Sequence, residues 1–193
     1  MPQTDPELSI SKLKEELMSV EGGEIILLHF NPLNYSELTL EALSFLINEK
    51  EAGIMYITAS RPYCYLSRVM KDRKISKENL LFIDCITYLA NVPSELSENC
   101  VFVETPAELE DVGMHTARLM GKIKTKNKFL FIDSMSTLLI YNNMRSLREF
   151  STFIKNLLRD NGVGGIFITI NGHSGEYIIE MLAGVCDKII RIE

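Results

Sequence analysis

The chain has 193 residues, of which 46% are hydrophobic and 24% are charged. This composition is that of an ordinary globular protein and excludes a disordered chain, a collagen and a disulfide-rich miniprotein. The 20 basic and 26 acidic residues give a net charge of −6, so we expect no general electrostatic binding of nucleic acid.

The first half of the chain alternates helical and strand patterns. A short helix is predicted over about residues 6–19, where Leu13 and Leu17 share one face. Three continuous apolar runs are typical of strands that are buried on both faces of a sheet. These runs are EIILLHF (24–30), IMYIT (54–58) and NLLFIDC (79–85). Two helical patterns separate them, over 36–50 and 62–72.

The second half continues the alternation with four more strand patterns and three more helical patterns. The strand patterns are CVFVE (100–104), KFLFIDS (128–134), GIFITI (165–170) and residues 187–192. The helical patterns run from Pro106 to about Lys122, over 147–158 with a cap at 161–162, and from Tyr177 to Leu182. Strands that alternate with helices through short connections predict a mostly parallel central sheet with helices on both faces. The expected fold is therefore a three-layer α/β/α domain that spans residues 1–193.

Metal sites, cofactors and membrane segments are not predicted. The four cysteines form no CxxC pair, and the histidines His29, His115 and His173 are isolated in the sequence. A nucleophile pair of Cys64 with a histidine is an enzymatic alternative that no spacing selects. No apolar run approaches the roughly 18 residues of a membrane span, and the first residues lack the pattern of a secretory signal. We expect a cytoplasmic protein that does not contact a membrane.

Polar residues follow several of the predicted strands. They are Ser60, Arg61, Asp84, Asp133, Ser134 and Asn171. Ligands of open parallel sheets bind beyond the carboxyl ends of the strands, so these side chains outline a candidate cleft. The run FLFIDS (129–134) has the form of a Walker B strand, whose carboxylate holds the water shell of Mg²⁺ under a nucleotide. A carboxylate that only caps a buried strand fits the same pattern.

Three stretches of the chain resemble the KaiC-like branch of the RecA superfamily of ATPases. They are FLFIDSMSTLLIY (129–141), residues 147–171 and MLAGVCDKIIRIE (181–193). The resemblance extends over about residues 24–193 and is most specific in the second half. It implies a RecA-like core of the P-loop NTPase type. It also implies self-association by analogy, because domains of this kind pack side by side.

Two motifs that carry the chemistry of that family are absent from this sequence. The family's first strand leads into G-x-x-x-x-G-K-[ST], whose backbone N–H groups and lysine hold the phosphates. Residues 31–41 of this chain contain neither glycine nor lysine. The second strand leads into ASRP (59–62), whereas the family places acidic residues there, one of them the catalytic base. Asp133 and Ser134 therefore stand at a degenerate Walker B position.

These departures predict a catalytically inactive RecA/KaiC-like protein with no catalytic residue. We expect it to act in regulation or signal transduction, through contacts with a protein partner or with a second copy of itself. On this hypothesis the cleft above the strands is filled by side chains such as Pro32, Tyr35 or Tyr63, and an apolar patch lies elsewhere on the surface.

The alternative hypothesis is residual binding of a nucleotide or a small anion without efficient hydrolysis. Arg61 would then supply positive charge in an open polar cleft. The other residues of that cleft would be Ser60, Asp84 and Asn171, next to Asp133 and Ser134.

Overall fold

The computed structural model describes residues 6–93, 97–172 and 175–192. Within these residues the helices are α1 (Pro6–Met18), α2 (Tyr35–Asn48), α3 (Tyr63–Asp72), α4 (Leu109–Met120), α5 (Met135–Tyr141), α6 (Met144–Asp160) and α7 (Gly175–Leu182). The strands are β1 (Ile25–Phe30), β2 (Gly53–Thr58), β3 (Leu80–Asp84), β4 (Cys100–Phe102), β5 (Lys128–Asp133), β6 (Gly164–Ile170) and β7 (Lys188–Ile192). Each predicted strand and helix is present, and most ends lie within a few residues of the predicted positions.

The strands form one seven-stranded sheet in the order β4-β3-β2-β5-β6-β1-β7. Every pairing in it is parallel. All residues of β1 and β2 are buried, because helices cover both faces of a parallel sheet and each strand is apolar on both sides. The predicted three-layer α/β/α fold is confirmed.

Two apolar cores lie on opposite faces of the sheet. Alternate residues of β2 enter different cores: Ile54 and Tyr56 face one, whereas Met55 and Ile57 face the other. The first core holds the buried residues of α1, α2 and α3. The second core holds those of α4, α5, α6 and α7. A single strand thereby ties both helical layers together.

The first helix belongs to the folded core. Its Leu13 and Leu17 have no exposed surface and pack in the core that contains α2. Outside this apolar contact, the Lys12 ammonium donates to the carbonyl oxygen of Arg191 at 3.0 Å. A salt bridge of 2.5 Å also joins Glu16 to Lys188. Helix α1 therefore covers the β7 edge of its own sheet.

The predicted start of the fourth helix at Pro106 is wrong, because α4 begins at Leu109. The N–H of Ala107 donates to the Thr105 hydroxyl at 3.3 Å, and the N–H of Glu108 donates to the Thr105 carbonyl at 3.1 Å. The carbonyl of Pro106 accepts the side-chain amide of Asn142 at 2.9 Å. Residues 105–108 thus form a turn, and the helix starts after it.

Among the described residues, no helix combines the length and apolar character that a bilayer crossing requires.

Candidate functional site

The carboxyl ends of β2 and β5 lie side by side in the middle of the sheet. Thr58 pairs with Asp133 in the register of the two strands. The N–H of Ala59 donates to the carbonyl oxygen of Asp133 at 2.8 Å, which continues the ladder one residue beyond β2. The Asp133 side chain has no exposed surface. A buried carboxylate needs hydrogen-bond partners, because an isolated charge is very costly to remove from water.

Three side chains supply donors to the Asp133 carboxylate. The Tyr56 hydroxyl donates to Oδ2 at 2.5 Å, and Nη2 of Arg61 donates to the same oxygen at 2.8 Å. The Tyr35 hydroxyl donates to Oδ1. We call Tyr35, Tyr56, Arg61 and Asp133 the strand-end cluster. Both oxygens of the only carboxylate in this cluster are engaged by side chains of the chain itself.

Arg61 is held in place by several contacts besides Asp133. Its Nη1 donates to the Ser36 hydroxyl at 2.8 Å, and its guanidinium lies 5.3 Å from the centre of the Tyr35 ring. The Thr58 hydroxyl donates to the Arg61 carbonyl at 2.6 Å, which fixes the turn after β2. Only 14% of the Arg61 side chain is exposed. The guanidinium is therefore an internal counter-ion of Asp133.

The two tyrosines and the arginine of the strand-end cluster keep their protons. Burial raises the pKa of Tyr56 well above its usual value, and the negative charge of Asp133 raises it further. The same two causes raise the pKa of Tyr35. Burial alone would lower the pKa of Arg61, but the charge of Asp133 outweighs this effect and the pKa is raised. Two neutral phenols and one cation thus face one carboxylate.

The serines of the candidate site meet at the start of α5. Ser134 is the N-cap of this helix, and its Oγ accepts the N–H of Thr137 at 3.2 Å. The Thr137 hydroxyl lies 2.9 Å from Oγ of Ser134 and 2.8 Å from Oγ of Ser60. The peptide bond between Asp133 and Ser134 is cis. Ser60 and Ser134 therefore lie close together, and their hydroxyls bond to the start of α5.

Asp84 lies at the end of β3 but points away from the strand-end cluster. Its Oδ1 accepts the N–H groups of Ile86 and Thr87 at 2.8 and 2.9 Å. Its Oδ2 accepts the N–H of Tyr63 and the Thr87 hydroxyl, both at 2.6 Å. Asp84 therefore stabilises the first turn of α3 and the turn after β3, which is a structural task. The prediction that it lines a shared cleft is wrong.

Asn171 follows β6 and is exposed. Its backbone N–H donates to the carbonyl of Phe30 at 2.8 Å, which extends the β1–β6 pairing. Within the described part of the chain, no hydrogen bond joins its side chain to the strand-end cluster. The structure places Asn171 on the same edge of the sheet as Asp133 but does not bring their side chains into contact.

The loop between β1 and α2 is the segment in which the family resemblance would require a phosphate-binding motif. It consists of residues 31–34. The N–H of Leu33 donates to Oδ1 of Asn31 at 3.0 Å, and the N–H of Asn34 donates to the Asn31 carbonyl at 3.2 Å. Pro32 has no N–H to offer. The donors of this short loop therefore turn inward, and the next residue, Tyr35, points its hydroxyl at Asp133.

Among the side chains expected to fill the cleft, Tyr35 does so and the other two do not. Pro32 is exposed. Tyr63 packs on the far side of β2, with its ring centre 4.9 Å from that of Phe82 and its hydroxyl 3.0 Å from Ser97. The Asp84 carboxylate, which accepts the Tyr63 N–H, fixes the start of α3 and directs Tyr63 to that side.

Tyr56 is the residue of the strand-end cluster that the sequence did not identify. It lies in the middle of β2, pairs with Phe131 in the register and stacks on its ring at 5.1 Å. From there its hydroxyl reaches the end of the neighbouring strand. A buried tyrosine needs a partner for its hydroxyl, so the tyrosine inside IMYIT (54–58) was the available signal.

One further buried titratable side chain lies near this edge of the sheet. Nδ1 of His29 is 3.0 Å from the Thr169 hydroxyl, and the two residues pair in the register of β1 and β6. Burial lowers the pKa of His29, and the positive charge of Arg191 lowers it further. His173 lies outside the described residues. Among those that are described, no group of three or more histidine, cysteine or acidic side chains is placed to hold a metal ion.

Comparisons with known proteins identify the type of fold. No family model matches the sequence, and no curated protein matches it. A KaiC-like protein from the hyperthermophilic archaeon Pyrococcus horikoshii has a TM-score of 0.62 at 18% identity, over 88% of this chain and 71% of that one.

An uncharacterised protein from Pyrococcus horikoshii, crystallised in complex with an unknown peptide, has a TM-score of 0.68 at 12% identity. That match covers 94% of this chain and 82% of the other. Together with the all-parallel sheet, these likenesses establish a three-layer α/β/α fold of the RecA type.

Proposed function

We propose that this chain is a catalytically inactive RecA-like protein that works through contacts with other proteins, in regulation or signal transduction. One observation carries the proposal: the Asp133 carboxylate is bonded to Tyr35, Tyr56 and Arg61. A carboxylate that serves a nucleotide must reach the water shell of a bound Mg²⁺. Asp133 instead has a guanidinium of the chain itself as its cation.

The loop before α2 supports the same proposal. A phosphate cradle needs several backbone N–H groups that point at one anion. In this loop the N–H groups of Leu33 and Asn34 donate to Asn31. Glu37 adds a carboxylate in the first turn of α2, where a phosphate would meet repulsion.

Exposed apolar side chains support the part of the proposal that concerns protein contacts. Met114 on α4 and Phe153 on α6 line one groove, with about half of each residue exposed. Large exposed apolar residues that lie together mark interaction surfaces. The Pyrococcus horikoshii protein that was crystallised with an unknown peptide is a precedent for peptide binding by a protein of this fold.

The alternative function, residual binding of a nucleotide or small anion, requires the strand-end cluster to open. Arg61 would have to give up Asp133 and Ser36, and Tyr35 would have to swing away from Asp133. Each of these groups would lose a hydrogen bond to a charged or buried partner, at about 1.5–3 kcal/mol per bond. The closed arrangement is therefore the favoured one without a ligand.

Phosphate release from ATP in the presence of Mg²⁺ tests the proposed inactivity. We expect the purified protein to release phosphate at the rate of a buffer blank. Release above the blank that disappears in Asp133→Asn and persists in Asp160→Asn, an exposed carboxylate at the end of α6, would show that the protein is an ATPase.

A further inference from the structure

A surface groove lies between α4 and α6, in the helical layer opposite α1, α2 and α3. Its volume is about 760 Å³, within the range of about 300–1,000 Å³ in which proteins hold small ligands. Phe150 lies buried in it, whereas Met114 and Phe153 are 58% and 48% exposed. Methionine and aromatic residues are enriched where protein surfaces meet. The groove therefore contains an apolar surface that no side chain in the described part of the chain covers.

Acidic side chains surround this apolar surface. Glu108, Glu110 and Asp111 line the groove at the start of α4, and Glu149 lines it from α6. The described residues that line the groove include no lysine, arginine or histidine. Glu149 pairs with Arg145 at 2.9 Å, but the two side chains are 66% and 88% exposed, so water screens the pair. The groove therefore favours a cationic occupant.

Contacts within the chain fix the shape of the groove. A Cβ atom at Gly113 would lie only 3.0 Å from the Phe153 ring, so the glycine lets α6 place this ring close to α4. At one end, the Asn142 side chain donates to the carbonyls of Pro106 and Leu138 at 2.9 and 2.8 Å. A groove that is already formed spares an incoming partner part of the ordering cost of binding.

The acidic residues do not form a metal site, since no three potential ligands converge in the described part of the chain. Separate carboxylates suit several separate cations, such as the lysine and arginine side chains of one peptide. The size of the groove suits a few side chains of a segment more than a whole domain.

We propose that the groove between α4 and α6 binds a basic segment of a partner protein that carries one large apolar side chain between lysine or arginine residues. The apolar side chain packs against Met114 and Phe153, and the cations face Glu108, Glu110 and Asp111. This inference rests on the proposed function, because it specifies the chemistry of the partner.

A set of fluorescein-labelled synthetic peptides tests the proposal by fluorescence anisotropy. Each peptide has leucine, methionine, phenylalanine or tyrosine at its centre and lysine or arginine on both sides. One control set replaces the central residue by serine, and another replaces the basic residues by glutamate. We expect at least one basic apolar peptide to bind about tenfold more tightly than either of its controls, a difference of about 1.4 kcal/mol. Binding should weaken as salt rises from about 0.1 M to about 1 M, because the Debye length falls from about 10 Å to about 3 Å.

Three variants locate the binding site. Glu110→Lys combined with Asp111→Lys should weaken peptide binding about tenfold or more. Glu180→Lys, an exposed change on α7 away from the groove, should leave it unchanged. Glu180→Lys should keep the melting temperature of the parent, because its position is exposed. The double variant should melt slightly lower and stay folded, because it places two cations in the exposed first turn of α4. Phe153→Ser should remove the preference for a central apolar residue and leave the dependence on charge.

Four results would overturn the proposal. They are equal binding of the acidic peptides, equal loss of binding in Glu180→Lys, no peptide of the set with a Kd below about 1 mM, and filling of the groove by a second copy. In the last case the protein would self-associate, and the groove variant would abolish this self-association. Nucleotide titration of the same preparations tests the proposed function separately, so the two failures are distinguishable.

Discussion

Asp133 combines complete burial with a negative charge, and the residues around it follow from that combination. Taking a carboxylate out of water is tolerated when a cation and further donors replace the lost hydration. Arg61 supplies the cation at 2.8 Å, and two tyrosine hydroxyls supply the donors. The pair is also a point of weakness, because removing either partner leaves an uncompensated charge inside the protein.

Asp133→Asn should lower the free energy of unfolding by about 3 kcal/mol, since the variant leaves Arg61 buried without its counter-ion. Urea denaturation at neutral pH measures the change. Asp160→Asn is the matched control and should stay within about 0.5 kcal/mol of the parent. Adding Arg61→Met to Asp133→Asn should restore part of the loss, because the second change removes the unpaired charge. A loss as small as that of the control would contradict the role assigned to Asp133.

Tyr56→Phe should make the stability of the protein depend less steeply on pH in alkali. The pKa of Tyr56 is raised from 10.0 in the folded state. Above about pH 10 the unfolded chain therefore loses this proton while the folded chain keeps it, and stability falls as pH rises. Each such tyrosine adds about 1.4 kcal/mol per pH unit to that fall.

The variant should lose about 1–2 kcal/mol at neutral pH, because one hydrogen bond to the buried carboxylate is missing. Its free energy of unfolding should then decline less steeply than that of the parent above pH 10. Tyr177→Phe, at a position that is 67% exposed, should leave the slope unchanged. Urea denaturation between neutral pH and about pH 11 makes the comparison, and parallel curves for parent and Tyr56→Phe would contradict the account.

At the residue scale, the sequence predicted where a residue lies in the sheet better than the direction in which its side chain points. FLFIDS (129–134) placed Asp133 at a strand end, because an apolar run followed by a carboxylate is typical of a buried strand and its end. The same reasoning placed Asp84 at a strand end, yet its carboxylate turns to the N–H groups of α3 and the following turn. The direction of a side chain depends on hydrogen-bond donors from other segments of the chain. The sequence of one strand contains no information about those donors.

Helix α1 covers the β7 edge of its own sheet, and its apolar face is part of the core. Leu17→Ala should cost about 3 kcal/mol of unfolding free energy, because Leu17 is fully buried and its removal leaves a cavity. The neighbouring Met18, which is 61% exposed, provides the control, and Met18→Ala should change stability by less than about 0.5 kcal/mol. Equal, small effects in chemical denaturation would mean that α1 is not part of the cooperative fold.

At the element scale the strands were predictable and some helix starts were not. Runs such as EIILLHF (24–30) are apolar on both sides, and that property identifies a central parallel strand without knowledge of its neighbours. The start of α4 follows a turn in which Thr105 accepts the N–H groups of Ala107 and Glu108, and Asn142, 36 positions away, donates to the carbonyl of Pro106. Proline fits both a turn and the first position of a helix, so the sequence alone did not decide between them.

At the scale of the whole molecule, the carboxyl-terminal edge of the sheet is closed by its own side chains, whereas the surface between α4 and α6 is open. At the carboxyl ends of the central strands, polar groups are paired with one another, and Tyr35 reaches the carboxylate that a metal–nucleotide complex would need. In the helical layer of α4 and α6, a groove with apolar side chains is lined at its sides by acidic ones. The first feature argues against nucleotide chemistry, and the second is the surface that we propose for a partner. The groove was beyond sequence analysis, because it depends on how two helices that are distant in the chain pack.

Thermal unfolding in the presence of ATP, ADP or GTP, each with and without Mg²⁺, tests the central claim most directly. A ligand that binds only the folded state stabilises it by about 2.7 kcal/mol at a hundredfold excess over its Kd. We predict that millimolar nucleotide leaves the melting temperature unchanged with or without Mg²⁺, because Tyr35 and Arg61 already donate hydrogen bonds to the Asp133 carboxylate. A rise that requires Mg²⁺ and disappears in Asp133→Asn would contradict the closed site and identify the protein as a nucleotide-binding member of its fold.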